Sequence, residues 1–160
     1  MRSVAVSQTN SMRVVEVLDD ATSAYTISAQ VCFENFHGAA NRLAGLLVLL
    51  AIARSRHVLD AEVHAAAAGL IKAGNEEFRA LRSTPRSQHF HGHLANAGKL
   101  LRVAMEDIDR TLAGLASARD PLAPLQAAWS ELRKASKCLP GFVLVDLQHS
   151  CCALHKTVIS

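Results

Sequence analysis

The segment Glu34-Asn35-Phe36-His37-Gly38-Ala39-Ala40-Asn41 holds the residues best spaced for chemistry. On a helix Glu34, His37 and Asn41 stand at i−3, i and i+4 and share one side, and Gln30 extends the polar strip. An imidazole so placed can accept a phosphoryl group: one ring nitrogen attacks while a nearby carboxylate holds the other and raises its nucleophilicity. The competing reading is a half-exposed helix histidine paired with Glu34 by spacing alone, a contact of small energy. The apolar residues of the same helix lie roughly opposite, so His37 is expected to point away from the packing seam.

Two other clusters offer metal or thiol chemistry. In Gln88-His89-Phe90-His91-Gly92-His93 only His89 and His93 share a helical side, and two imidazoles need a carboxylate or cysteine from another helix to complete a site. In His149-Ser150-Cys151-Cys152-Ala153-Leu154-His155, the residues His149, Cys152 and His155 share an arc but spread about 9 Å along the axis. Neighbouring pairs could hold an ion or form a redox-responsive thiol. The plainer reading is small buried cysteines beside surface histidines. No metal or other cofactor is assigned on these grounds.

Helices must position all of these groups. Gly and Pro are sparse, Ala and Leu dominate, and β-branched residues thin out after residue 31. A first helix is predicted from about Asp20 to Arg56, with Ala29, Cys32, Phe33, Phe36, Ala40, Leu43, Leu47 and Leu50 on one face. Asp60 reads as the N-cap of a second, about Ala61 to Leu81, which Gly74-Asn75 could interrupt. After Thr84-Pro85 a third runs from about Ser87 to Leu115, with Phe90, Leu94, Ala97, Leu101, Ala104 and Ile108 inward. Asp120-Pro121 opens a fourth, reaching about Cys138, and a shorter fifth covers about Phe142 to His155. Residues 1–18 read as an N-terminal arm or small β-hairpin. Short loops between long amphipathic helices predict an all-α, up-down four-helix bundle over residues 19–156.

Phe36-His37-Gly38 and Phe90-His91-Gly92 are each followed at the same interval by a Leu-Leu pair, and Glu77-Phe78-Arg79 aligns with Glu131-Leu132-Arg133 at the same offset. That is the pattern of a duplicated hairpin, 30–82 and 87–138, although Leu- and Ala-rich helices also match by chance. His91 has Gln88 and Ala95 where His37 has Glu34 and Asn41, so the second copy would be degenerate.

The spacing Glu-x-x-His-x-x-x-Asn-x-Leu, with a Leu-rich helix and a short loop into a second helix, resembles the dimerisation and phosphoacceptor hairpin of HWE-type sensor histidine kinases. The resemblance covers about residues 30–82. It implies that His37 is the phosphoacceptor, Glu34 its acid and Asn41 the polar partner one turn on, in a hairpin that pairs into a four-helix bundle. The family places basic residues just after the histidine, where this chain has Gly38, Ala39 and Ala40, and nothing downstream reads as a glycine-rich nucleotide lid. The expectation is therefore a scaffold that receives phosphate or keeps the shape without the chemistry.

Composition narrows the rest. A net charge of +3 with 4% aromatics and interleaved acids gives no basic, ring-bearing stripe for nucleic acid. Four cysteines without CxxC spacing and an N-terminus without an apolar signal core predict a cytoplasmic chain with reduced thiols. The longest apolar run, Leu43 to Ala53, is short for a bilayer span and reads as a buried helix, so no membrane partner is expected. With only 19% charged residues, apolar surface is left over for a protein partner or a homodimer. The leading expectation is a signalling or interaction bundle without catalysis of its own. The rivals are a metal- or redox-responsive protein and an enzyme with a pocket inside the bundle.

Overall fold

The computed structural model describes residues 17–52, 58–115, 119–142 and 144. All but Val17 and Leu18 of the arm or hairpin expected over 1–18, and nearly all of the fifth helix, lie outside these residues; Phe142 and Leu144 are not helical. The described chain is all-α: α1 (Asp20–Ile52), α2 (Val58–Ala80), α3 (Gln88–Leu112) and α4 (Leu122–Cys138), with a 3-10 turn, Pro85–Ser87, ahead of α3. Consecutive helices pack as two hairpins, α1 on α2 and α3 on α4. The hairpins meet where α1 touches α3 and α4 and where α2 touches α3.

Side chains satisfy free backbone N–H groups at the starts of α1, of the 3-10 turn ahead of α3 and of α4. Asp19 caps α1, its carboxylate accepting from the Thr22 amide at 2.9 Å and the Thr22 hydroxyl at 2.7 Å. Those bonds hold the Asp19 carboxyl below its usual pKa. Thr84 and Ser87 form a reciprocal capping box around Pro85, and the Thr84 hydroxyl lies 3.0 Å from that of Thr22. This hydroxyl cluster ties the start of α1 to the α2–α3 turn. Asp120 accepts from the Leu122 amide at 2.9 Å, so Pro121 takes the N-cap position and α4 begins one residue later than expected.

Two helix-boundary expectations are corrected. Asp60 is no N-cap, because α2 already begins at Val58. Gly74-Asn75 does not break α2 either: Asn75 Nδ2 donates to the Ile71 carbonyl at 2.8 Å, and the helix runs on to Ala80. Gly74 serves packing instead. A Cβ there would lie 2.6 Å from the Phe36 ring, and one at Gly98 would lie 2.7 Å from it. The two glycines, one from each hairpin, form the notch that takes this fully buried phenylalanine.

The predicted inward faces hold. Ala29, Cys32, Phe33, Phe36, Ala40 and Leu43 of α1 are buried, as are Phe90, Leu94, Ala97, Leu101, Ala104 and Ile108 of α3, with Leu125, Ala128, Leu132 and Ala135 of α4 between them. Leu47 and Leu50 are only partly covered. By length and composition α1 also carries one window that could cross a membrane, at mean hydropathy 1.2, so its apolar character extends beyond Leu43 to Ala53. In the fold, one side of that helix belongs to the core.

Candidate functional site

The three residues of the expected phosphoacceptor strip all lie on α1, but they do not act as one group. Glu34 accepts from Gln30 Nε2 at 3.1 Å, on the exposed surface. His37 Nε2 lies 3.4 Å from Asn41 Nδ2, a long contact. The imidazole is half-buried, and it meets the Trp129 ring of α4 edge-on at 5.2 Å between centroids. It also lies parallel to Phe33 at 6.5 Å. The expectation that His37 points away from the packing seam is thus corrected. The ring sits on the border of the core-facing stripe, and α4 arrives on that side. Burial lowers the His37 pKa, so the neutral imidazole is the form the fold prefers.

The second Phe-His-Gly segment uses its histidine across the other inter-hairpin seam. His91 stacks on Phe78 of α2 at 4.4 Å, and its Nδ1 lies 3.0 Å from the Tyr25 hydroxyl of α1. Burial lowers the His91 pKa and raises that of Tyr25, so both groups stay neutral. Phe90, beside it, joins Tyr25, Phe33 and Phe142 in an aromatic cluster.

His89 and His93 do not converge on a shared ligand. His89 is exposed, while His93 Nδ1 bonds Glu131 Oε2 of α4 at 2.8 Å. Glu131 also receives Lys134 at 2.7 Å and Asn96 at 3.4 Å. The hydrogen bonds from Lys134 and then His93 hold its carboxyl down at about 2. His64 of α2 pairs similarly with Asp109 of α3. Among the described residues, no group of three or more His, Cys, Asp or Glu side chains is placed to hold a metal ion. His149, Cys152 and His155 lie outside the described residues.

Of the described thiols, Cys32 is buried and donates to the Gly74 carbonyl at 3.1 Å. Burial pushes it up to about 12, which removes it from thiolate chemistry at neutral pH. Cys138 is exposed, and its Sγ donates to the Lys134 carbonyl. An open cleft of about 420 Å³ between α2 and α3 has Ile71 and Met105 in its lining, along with Lys72, Glu76, Arg79, Arg102 and Glu106. Its three cations and two carboxylates nearly balance.

Sequence spacing along one helix could not reveal the partners Trp129, Phe78, Tyr25 and Glu131, because each lies on a helix other than that of the histidine it meets. Comparison with protein-family models, with curated proteins and with solved structures finds no match. The functional reading rests on the residues themselves.

Proposed function

We propose that this chain is a protein-interaction module: a four-helix bundle of two paired hairpins, without catalysis of its own, that presents the outer side of α1 to a protein partner. The observation that carries this reading is the set of large apolar side chains left in solvent on α1, Ile27, Val31, Val48, Leu49 and Ile52. Exposed apolar residues grouped on one element mark an interaction surface, whereas scattered ones do not. Of the polar groups that spacing offered for chemistry, His93 is bonded to Glu131 at a helix seam, while Glu34, Asn41 and His89 stay on the exposed surface.

A photo-cross-linking side chain placed at position 48 tests the reading in living cells. A discrete protein adduct at position 48, with none at the exposed Arg133 position on α4, is the expected result. Adducts to lipid alone, or none at either position, would remove the reading.

A second reading, phosphoacceptance by His37, is favoured by one observation. Its ring is held by Trp129 and kept neutral by burial, with Nε2 next to Asn41. A neutral imidazole has the free electron pair that attack on phosphorus needs. Asn41, not Glu34, is then the neighbouring polar group. Incubation with phosphoramidate should give an acid-labile phosphohistidine signal by phosphorus NMR that disappears in His37→Gln and survives in His91→Gln. Absence of that signal in the wild-type chain removes the second reading.

A further inference from the structure

The outward residues of α1 follow a coiled-coil rhythm. Ile27, Val31, Glu34, Gly38, Asn41, Gly45, Val48 and Ile52 alternate in steps of four and three. At 100° per residue they fall within an arc of about 100°, one continuous stripe. None of the eight is in the core. Ile27 is 73% exposed, Val31 50%, Val48 57% and Ile52 77%, and Gly38 is the half-buried member. A buried stripe with this spacing would be explained by its own bundle. This one faces solvent.

The stripe is also complementary to its own reversal. From either end it begins isoleucine, valine, and between the two valines reversal exchanges each polar residue for a glycine. Laid antiparallel on a second copy about a two-fold axis between Ala39 and Ala40, Ile27 meets Ile52 and Val31 meets Val48. Glu34 meets Gly45, whose open side takes the long carboxylate side chain, and Asn41 meets Gly38, where Leu70 of α2 already stands 3.2 Å from the Cβ position. An added Cβ at Gly45 would meet nothing within 4 Å. The same axis brings Arg42 of one copy within a turn of Glu34 of the other, giving two opposite-charge pairs at the centre. A parallel pairing would oppose Glu34 to Glu34 and glycine to glycine, which repels at one level and leaves a gap at the next.

We infer that the outer face of α1 is a self-association surface, on which a second copy of this chain docks antiparallel through the stripe from Ile27 to Ile52. The inference rests on the interaction-module reading and names its partner. A bilayer fits the stripe less well, because its middle half is Glu34, Gly38, Asn41 and Gly45, flanked by Arg42, and its apolar residues stand only at the two ends. The stripe is about 39 Å long at about 1.5 Å per residue. A pairing along it hides roughly 1,000 Å² in total, the lower end of specific interfaces, so the dimer should be reversible.

Analytical ultracentrifugation of the full chain over a wide concentration range is the test. The wild type should pass reversibly from 17.2 kDa to twice that mass. Val31→Glu should weaken the dimer by at least about tenfold while helix content and Tm stay at wild-type values, since Val31 is half-exposed. Mixing Val31→Glu with Val48→Lys should restore a dimer containing one of each, whereas mixing Val31→Glu with Val31→Lys should not. A chain that stays monomeric at every concentration overturns the inference. So does a dimer indifferent to Val31→Glu, rescue by Val31→Lys instead of Val48→Lys, or a monomer that binds phosphatidylcholine vesicles through Val31. A monomer that still gives a heterologous protein adduct at position 48 would overturn the second copy and leave the interaction module standing.

Discussion

The two Phe-His-Gly segments occupy equivalent places, one on the first helix of each hairpin, and the fold uses them differently. In α1, Phe36 fills the notch between Gly74 and Gly98, and His37 leans on Trp129. In α3, Phe90 joins an aromatic cluster, and His91 is both stacked on Phe78 and bonded to Tyr25. Each histidine crosses to the opposite hairpin, α1 to α4 and α3 to α2. What differs is the receiving surface, glycine and tryptophan in one case, phenylalanine and tyrosine in the other. The same tripeptide thus does two packing jobs, and its neighbours across the seam set which one.

The largest effect should come from emptying the glycine notch. Phe36→Ala is expected to cost about 3–5 kcal/mol in urea unfolding, because the backbones of two helices line the void and cannot collapse into it. Filling the notch from the other side should cost less. Gly98→Ala places a methyl 2.7 Å from the Phe36 ring, and the overpacking outweighs the helix-propensity gain by about 1–2 kcal/mol. Phe36→Leu in the same chain should recover part of that loss. If Gly98→Ala were instead stabilising, the notch would not be a constraint and the contrast between the two segments would collapse.

Acid should separate the hairpins next. Glu131 titrates near 2 in the fold. A carboxyl with a depressed folded pKa adds stability above its unfolded pKa and loses it as pH falls toward the folded value. Unfolding free energies taken from pH 5 down to pH 2 should fall by the order of 1–2 kcal/mol more in the wild type than in Glu131→Gln. The first hairpin has Ala39 where the second has His93, so this acid sensitivity belongs to the α3–α4 hairpin.

Tyr25→Phe removes the hydroxyl beside His91 and is expected to cost about 0.5–1.5 kcal/mol. His37 and His91 both have lowered pKa values. The unfolded chain therefore binds protons that the fold rejects, and stability should decline as pH drops below the ordinary histidine value. His91→Gln should flatten that slope in urea titrations between pH 8 and 5, and so should His37→Gln. The smallest effect has the opposite sign. Gly92, the glycine of the second tripeptide, is exposed with open space at its Cβ position, so Gly92→Ala should stabilise by up to about 1 kcal/mol in the same assay.

The sequence by itself determined the helices, their inward stripes and most of their ends. Those depend on periodicity, on proline at Pro85 and Pro121, and on local capping, all of which act within a few residues. Even the outward stripe of α1 could be written down from spacing. Tertiary structure decided which helix met each histidine. His37 looked like the partner of Glu34 because helical spacing shows only neighbours on the same helix; α4 brought Trp129 to it from 92 residues away. Gly74 looked like a helix break, since a glycine's missing side chain has no meaning until the ring that needs the space, Phe36, is packed against it.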